Sequence, residues 1–294
     1  AESNNPASVV RVRNLVKRYG NVLALDHFNL DIGKGEIFGL LGPNGCGKTT
    51  TINCMLQLLT YDKGSIELFG EPMKPTRYDL KQRIGVVPQQ VAVFDELSVA
   101  ENIDCFCALY VKDKTLRRKL VNEAIEFVGL EDYRKMRPKK LSGGLQRRLN
   151  IASGIAHQPE LIFFDEPTVA VDPQSRNSIL DGIMRLRDEG ATVVYTSHYM
   201  EEVEHICSRI MIMDGGKILV LGTADELKRS IAVGEKIVVE LPGALHASCE
   251  TSDHNLLDVL DSVRAARLAV GRVYSEPPTL NDVFLEITGR ELRD

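Results

Sequence analysis

The stretch Gly42-Pro-Asn-Gly-Cys-Gly-Lys-Thr-Thr50 directly follows the apolar run Ile37-Phe-Gly-Leu-Leu41. It fits the pattern G-x-x-x-x-G-K-[ST], whose glycines let successive backbone N–H groups converge on an anion with no Cβ in the way. Lys48 brings a point charge to the outer phosphates of a nucleotide, and Thr49 offers a hydroxyl to a divalent cation. Ile37 to Leu41 reads as the strand entering the loop and Thr50 to Leu59 as the helix leaving it. The helix N-terminus would then face the phosphates. Gly42, Pro43, Asn44, Gly45, Cys46, Gly47, Lys48, Thr49 and Thr50 are the candidate phosphate-binding residues, and the nucleotide itself has still to be identified.

Working outward, 294 residues with 44% hydrophobic content suffice for one large domain and a smaller one. A bilayer span needs about 20 consecutive apolar residues, and runs such as Ile37 to Leu41 or Leu161 to Phe164 are far shorter. A membrane role is therefore expected only through a partner. The polar stretch 1–8 reads as a flexible end with no charged-then-apolar leader, and the expected compartment is the cytosol. The six cysteines are scattered, which suits free thiols. A net charge of −5 argues against broad nucleic-acid binding, although Tyr133 to Lys140 is strongly basic.

Val9 to Val16 and Leu23 to Ile32 alternate as strands of a small antiparallel sheet, with a turn at Tyr19-Gly20-Asn21. Ser65 to Phe69 and Ile84 to Val87 are further short strands. From Ser98 the period becomes helical: Ser98-x-x-Glu101 is a capping box, and a second helix follows over Thr115 to Val128. Short apolar strands return at Leu161 to Phe164, Thr192 to Tyr195, Ile210 to Met213 and Ile218 to Leu221. Helices lie between them at Pro173 to Asp188 and Met200 to Cys207, and Asp214-Gly215-Gly216 joins the last two strands as a hairpin. Past a second capping box, Thr223-x-x-Glu226, the character changes. Lys236 to Leu241 reads as a strand, Leu256 to Val270 as an amphipathic helix, and Thr279-Leu-Asn-Asp282 starts a helix ended by Gly289. The expected boundary lies near Ser230 to Glu235.

Leu-Ile-Phe-Phe-Asp-Glu at 161–166 is an apolar strand ending in two carboxylates. Such a run implies burial on both faces, so the acids emerge at the carboxyl end of a parallel sheet, where open α/β sheets bind ligands. Asp165 is placed to hold Mg²⁺ through its water shell, and Glu166 to orient and deprotonate a water attacking the γ-phosphate. Ser142 can cap the helix running to about Ala156, and its Gly143-Gly144 start exposes N–H donors and a positive dipole end.

With these motifs in this order, Val9 to Thr223 resembles the nucleotide-binding subunit of an ABC transporter. Leu141-Ser142-Gly143-Gly144 is similar to the family signature. The resemblance implies an ATPase with a P-loop NTPase core: a mostly parallel sheet, an N-terminal antiparallel β subdomain, an inserted α-helical subdomain at about 90–158, and a small C-terminal α+β domain. The nucleotide-binding domain would span 9–230 and the accessory domain 231–294. It also implies ATP and Mg²⁺, held in part by Lys48, Thr49, Gln89 and Asp165. Ser142, Gly143, Gly144 and Asp172 would contact ATP bound by the opposing subunit, so two copies would sandwich two ATP molecules head to tail. Gln89 resembles the glutamine that senses Mg²⁺ and the attacking water, His198 the switch histidine at the γ-phosphate, and Tyr19 the aromatic residue that stacks on adenine.

The signature continues as Leu145-Gln146, a variant resembling some prokaryotic exporters, Ala170-Val171 replaces the usual Gly-Leu before Asp172, and Cys46 stands where serine or alanine is frequent. Val91 to Tyr110 corresponds to the surface that receives a coupling helix from the membrane subunit; Val93, Phe94 and Leu97 suit either that groove or core packing. Pro278 to Arg290 resembles the tail of ATP-binding subunits of bacterial drug, antibiotic and polysaccharide exporters with a separate permease. The implied function is ATP-driven export of a small molecule from the cytoplasmic face of the membrane. The alternative is a mechanical ABC ATPase acting on nucleic acid or ribosomes. The span from Gln89 to Ser142 is too short for the coiled coil of DNA-repair relatives. A guanine-specific switch is disfavoured because Asn-Lys-x-Asp is absent.

Overall fold

The computed structural model describes residues 8–231, 236–241, 245–250, 261, 264–266 and 272–289. The chain divides into two compact units, one ending at Leu221 and the other starting at Gly222. In the first, β1 (Ser8–Tyr19) and β2 (Val22–Gly33) form a hairpin through Gly20 and Asn21, with Gly20 at φ 57° supplying the left-handed turn position. β4 (Lys63–Leu68) pairs antiparallel with β1, and β5 (Glu71–Pro72) with β4, giving the sheet order β2-β1-β4-β5.

The second sheet of this unit positions the site. β3 (Ile37–Leu41), β6 (Ile84–Val87), β7 (Leu161–Asp165), β8 (Thr192–Ser197) and β9 (Arg209–Asp214) run parallel, and β10 (Lys217–Gly222) returns beside β9 through Gly215-Gly216. The order is β10-β9-β3-β8-β7-β6. Every residue of β3, β7 and β8 is buried, as expected for strands covered on both faces. The carboxyl ends of β3, β7 and β8 therefore open side by side, with Gly42, Glu166 and His198 just beyond them.

Three corrections to the sequence-based bounds have local causes. The helix after the phosphate loop, α1, spans Lys48–Met55 rather than Thr50 to Leu59. It starts early because Gly47, at φ 113°, turns the chain into the helix, and it ends before Gln57, which is left-handed at φ 55°. β4 begins at Lys63 and stops at Leu68, because Phe69 and Gly70 both take positive φ in the turn to β5.

After the short α2 (Tyr78–Lys81) and β6 comes the helical block of α3 (Val99–Ala108), α4 (Lys114–Phe127) and α5 (Gly143–Ile155). It closes on its own apolar cluster, including Ile103, Cys107, Ile125 and Leu149. Each start is capped as its sequence requires: Ser98 with Glu101 in a reciprocal box, Asp113 onto Leu116 N–H, and Ser142 onto Leu145 N–H. α6 (Pro173–Asp188) and α7 (Met200–Ile206) complete the unit.

In the second unit, α8 (Ala224–Ser230) packs against α9 (Leu280–Thr288), which is why the division falls ahead of α8. The capping boxes at Thr223 and Thr279 both form, and Gly289, at φ 67°, ends α9. β11 (Lys236–Leu241), β12 (Leu245–Glu250) and β13 (Val273–Glu276) make an antiparallel sheet ordered β12-β11-β13. Most of the helix expected over Leu256 to Val270, and the stretch 1–7, lie outside the described residues. No helix among the described residues is long and apolar enough to cross a membrane.

Candidate active site

The phosphate loop is shaped by close approach. A Cβ on Gly42 would lie 2.3 Å from the Met213 carbonyl oxygen and 2.7 Å from Cys46 Sγ, so only glycine fits where the loop leaves β3. Lys48 folds back along the loop, its buried Nζ donating to the Gly42 and Pro43 carbonyls at 2.7 and 3.3 Å. Thr51 Oγ1 donates to Gly47 O at 2.9 Å and ties the first helical turn to the loop. Cys46 is buried, and burial pushes its thiol up from its usual pKa, so it packs as a small residue rather than serving as a nucleophile.

At the end of β7 the two carboxylates separate. Asp165 accepts from Thr49 Oγ1 at 2.9 Å and from Thr196 Oγ1 at 2.7 Å, bridging the loop helix to β8. Glu166 sits one residue further, at φ 46°, a left-handed backbone held by its N–H donating to Thr196 Oγ1 at 3.0 Å. The turn points its side chain where three separate elements converge. Lys48 Nζ lies 3.1 Å from Glu166 Oε1, Gln89 Nε2 donates to Oε2 at 2.9 Å, and His198 Nδ1 lies 3.4 Å from Oε2. Glu166 is 5% exposed. A buried carboxylate with a cation, an amide and an imidazole around it can orient a water and take its proton while positive charge faces a developing anion.

The structure thus brings Lys48, Thr49, Gln89, Asp165, Glu166 and His198 together. Tyr19 stands apart at the end of β1, its ring exposed beneath Lys17 Nζ at 5.0 Å. Among the described residues no hydrogen bond joins Ser142 or Gly143 to the phosphate loop; Ser142 Oγ caps its own helix. Gly144 and Asp172 lie together, since a Cβ on Gly144 would come within 2.7 Å of Ser175 Oγ and 3.3 Å of Asp172 Oδ2. Asp172 itself caps α6 through Ser175 N–H at 2.9 Å, which holds its carboxyl below its usual pKa. Gln146, one place past the usual position, braces the loop before α5 by donating to the Pro138 and Leu141 carbonyls at 3.0 and 3.2 Å.

Two residues escaped the sequence reasoning. Arg147 is 4% exposed and donates to Pro88 O at 2.9 Å and Gln89 O at 2.7 Å, with Glu166 O at 3.4 Å. Asn150, one turn later, donates to Pro88 O at 3.2 Å and accepts from Ala92 N–H at 3.0 Å. Together they clamp the backbone around Gln89 to α5. Their three-residue spacing on the face buried with Gly144 and Ile151 was the available signal.

The family profile described as ABC transporter matches residues 25–169. A linearmycin resistance ATP-binding protein of Bacillus subtilis strain 168 is 36% identical over 311 residues, covering 97% of this chain and 100% of that protein. The chain belongs to the ABC transporter family. A daunorubicin resistance ATP-binding protein of Streptomyces coeruleorubidus is 33% identical, covering 97% of this chain and 98% of that protein. Among solved structures, an ATP-binding cassette determined as a dimer in a post-hydrolysis state, bound to ADP and Pi, superposes with a TM-score of 0.67. It is 27% identical and covers 73% of this chain and 98% of that chain. The chain is an ABC ATP-binding subunit, an ATP hydrolase homologous to drug, antibiotic and Nod factor exporter subunits. The alternative of a nucleic-acid or ribosome motor is not favoured.

Proposed function

We propose that this subunit drives export of a small molecule by closing with a second copy around two MgATP, against a separate membrane permease. The observation that carries the mechanism is the convergence of Lys48, Gln89 and His198 on the Glu166 carboxylate, all within 3.4 Å. ATP phosphates would replace the Gly42 and Pro43 carbonyls as partners of Lys48, with Tyr19 stacking on adenine. Glu166, aimed by Gln89, holds the attacking water and takes its proton. His198 and Lys48 face the charge that grows on the γ-phosphoryl oxygens. Ser142, Gly143 and Gly144 of the opposing copy present N–H donors to the same phosphate, and Asp172 carries contact across the interface.

The donor set fits Mg²⁺. Thr49 Oγ1 and Asp165 are 2.9 Å apart, and the described residues hold no cluster of three or more His, Cys, Asp or Glu able to cage a metal. That suits an ion held by the Thr49 hydroxyl, the Gln89 amide oxygen and the Asp165 carboxylate together with substrate phosphates and water. Bound there, Mg²⁺ would neutralise phosphate charge; Thr49, Gln89 and Asp165 are its assigned contacts.

The first unit is assigned the ATPase, and 231–294, which falls almost wholly within the second unit, an accessory role. The permease is expected at a surface groove of about 290 Å³ lined by residues including Val86, Ala92, Phe106, Leu109 and Tyr110. Leu109 is 71% exposed, and exposed Phe94 stacks on Phe106 at 5.7 Å beside it. The chain would then lie on the cytoplasmic face of the membrane through its permease alone, without nucleic acid. Relatives named for linearmycin and daunorubicin resistance support a drug or antibiotic, rather than a peptide-like molecule in particular, as cargo. Coexpression with a polytopic membrane protein from a neighbouring reading frame tests this: retention on that protein, lost in Leu109→Asp, is expected. Retention on nucleic acid instead would overturn it.

A further inference from the structure

Beneath the site lies a polar cluster that the chemistry above does not use. Glu202, on α7, is 4% exposed and is surrounded by side chains from three other elements. Its Oε2 accepts from Thr168 Oγ1 at 2.8 Å, Tyr195 Oη at 2.7 Å and Ser197 Oγ at 3.1 Å. Its Oε1 lies 3.3 Å from Arg176 Nε on α6. Thr168 and Tyr195 are fully buried, and Ser197 is 1% exposed. Burial, and then the adjacent Glu202 carboxylate, hold the Tyr195 phenol well above its usual pKa, so it remains a donor.

The partners of this carboxylate sit at the roots of two loops. Thr168 follows Glu166 by two residues and begins the segment to Asp172; that segment includes Ala170 in a left-handed conformation at φ 59°. Asp172 then caps α6, the helix that carries Arg176. On the other side, Ser197 immediately precedes His198, and its Oγ accepts the Tyr199 N–H at 2.9 Å, so the backbone is tied on both sides of the histidine. The Tyr199 ring lies 4.1 Å from the His198 ring, and the Arg176 guanidinium stacks 4.8 Å from the Tyr199 ring centre. One buried anion therefore anchors the segment leading to Asp172, the strand end leading to His198, and the helix that Asp172 starts. Hydroxyl hydrogen bonds on one oxygen and, at the other, an ion-pair contact with Arg176 in which neither Nε nor Oε1 makes a hydrogen bond form an anchor that an apolar side chain cannot replace.

We propose that Glu202 is a positioning residue that locks the Asp172 segment and the His198 loop into one unit, so that cross-subunit contact and γ-phosphate contact are made together. The proposal rests on the roles given above to Asp172 and His198. Glu202 touches no reacting atom. It acts through Thr168 and Ser197, and its effect belongs to turnover rather than to nucleotide affinity.

The test is a double-mutant cycle on the full chain, using Thr168→Val and Ser197→Ala, small changes that each remove one hydroxyl from Glu202, the second also leaving the Tyr199 N–H without its acceptor. Turnover at saturating MgATP is measured together with the Kd for a fluorescent ATP analogue at protein concentrations too low for pairing. Each single variant is expected to lower kcat about fivefold while Kd stays within about twofold. The double variant should be close to the slower single, because either cut already separates the loops. Glu202→Gln, whose neutral oxygen holds the three hydroxyls less strongly than a carboxylate and whose N–H₂ opposes Arg176, should match the double variant. Losses that multiply in the double variant, or wild-type kcat in Glu202→Gln, would overturn the proposal. A fall in melting temperature with kcat unchanged would also overturn it, as mere structural support. Glu166→Gln, assayed in parallel, separates the two levels: if it turns over normally the active-site assignment fails, whereas if it is inactive and the cycle multiplies, only the role of Glu202 fails.

Discussion

Replacing Arg147 with methionine keeps a stem of similar length while removing the buried guanidinium. Three carbonyls lose a donor: Pro88 O, Gln89 O and Glu166 O. Pro88 O keeps Asn150 Nδ2 and Glu166 O keeps the Val169 N–H, so the loss concentrates on Gln89 O. A buried acceptor left without a donor costs about 1–3 kcal/mol. Against that stands relief from burying a cation, since burial already pulls the Arg147 guanidinium below its usual pKa. The expected net loss is about 1–2 kcal/mol, read by urea denaturation as a fall in midpoint at unchanged slope. Turnover should fall at least tenfold, or about 1.4 kcal/mol in the barrier, because the Gln89 backbone is no longer held against α5. ATP affinity should change little, since none of the three acceptors belongs to the phosphate loop. Arg147→Lys, with a single ammonium in place of the fork, should be intermediate. A stability loss below about 0.5 kcal/mol with wild-type turnover would refute the clamp.

Glu166→Gln should fold and bind ATP: its carbonyl can face Lys48, while a flipped Gln89 amide turns its oxygen to the new N–H₂ group. Its phosphate release should drop by about 10²–10⁴, and a rate within threefold of the native chain would remove Glu166 from the base role. Ala170→Gly relieves a left-handed alanine and should stabilise the chain by about 0.5–1 kcal/mol after the added unfolded-state entropy; equal or lower stability in urea would argue against the strain. His157 stacks on Tyr110 at 4.0 Å, and burial pushes its pKa below 6.5. The unfolded chain then binds the proton first, so stability present above pH 6.5 is lost as pH falls toward the folded pKa. Urea midpoints measured from pH 7.5 to 5.5 should fall in the native chain and fall less in His157→Gln; parallel slopes would exclude His157.

Much of the site was legible because its chemistry is local in sequence. The loop at 42–50 and the strand 161–166 carry their own geometry, and the caps at Ser98, Ser142, Thr223 and Thr279 form as read. Strand and helix bounds held within about two residues except at the end of α1, ahead of left-handed Gln57, and at the end of β1, which runs on to Tyr19; α2, β5, β12 and β13 were not read. Glu202 was not legible, and Arg147 and Asn150 were passed over although they share the apolar face of their helix. Each is a polar residue buried by tertiary packing, with partners between five and 62 residues away, and residue type alone treats such positions as solvated. Asp165 and Glu166 were read with separate roles, but the positive φ at Glu166 that turns its side chain toward Lys48, Gln89 and His198 is announced by no residue pattern.

The pairing of two chains around shared nucleotide is tested most directly by sedimentation of Glu166→Gln with MgATP, with bound nucleotide counted in each species. Addition of ATP should convert monomer to a dimer holding two ATP. Ser142→Arg in the same background should still bind ATP but remain monomeric, because Ser142 serves the opposing copy. A dimer that forms equally well with Ser142→Arg, or loss of ATP binding by the monomer of that variant, would contradict the shared site.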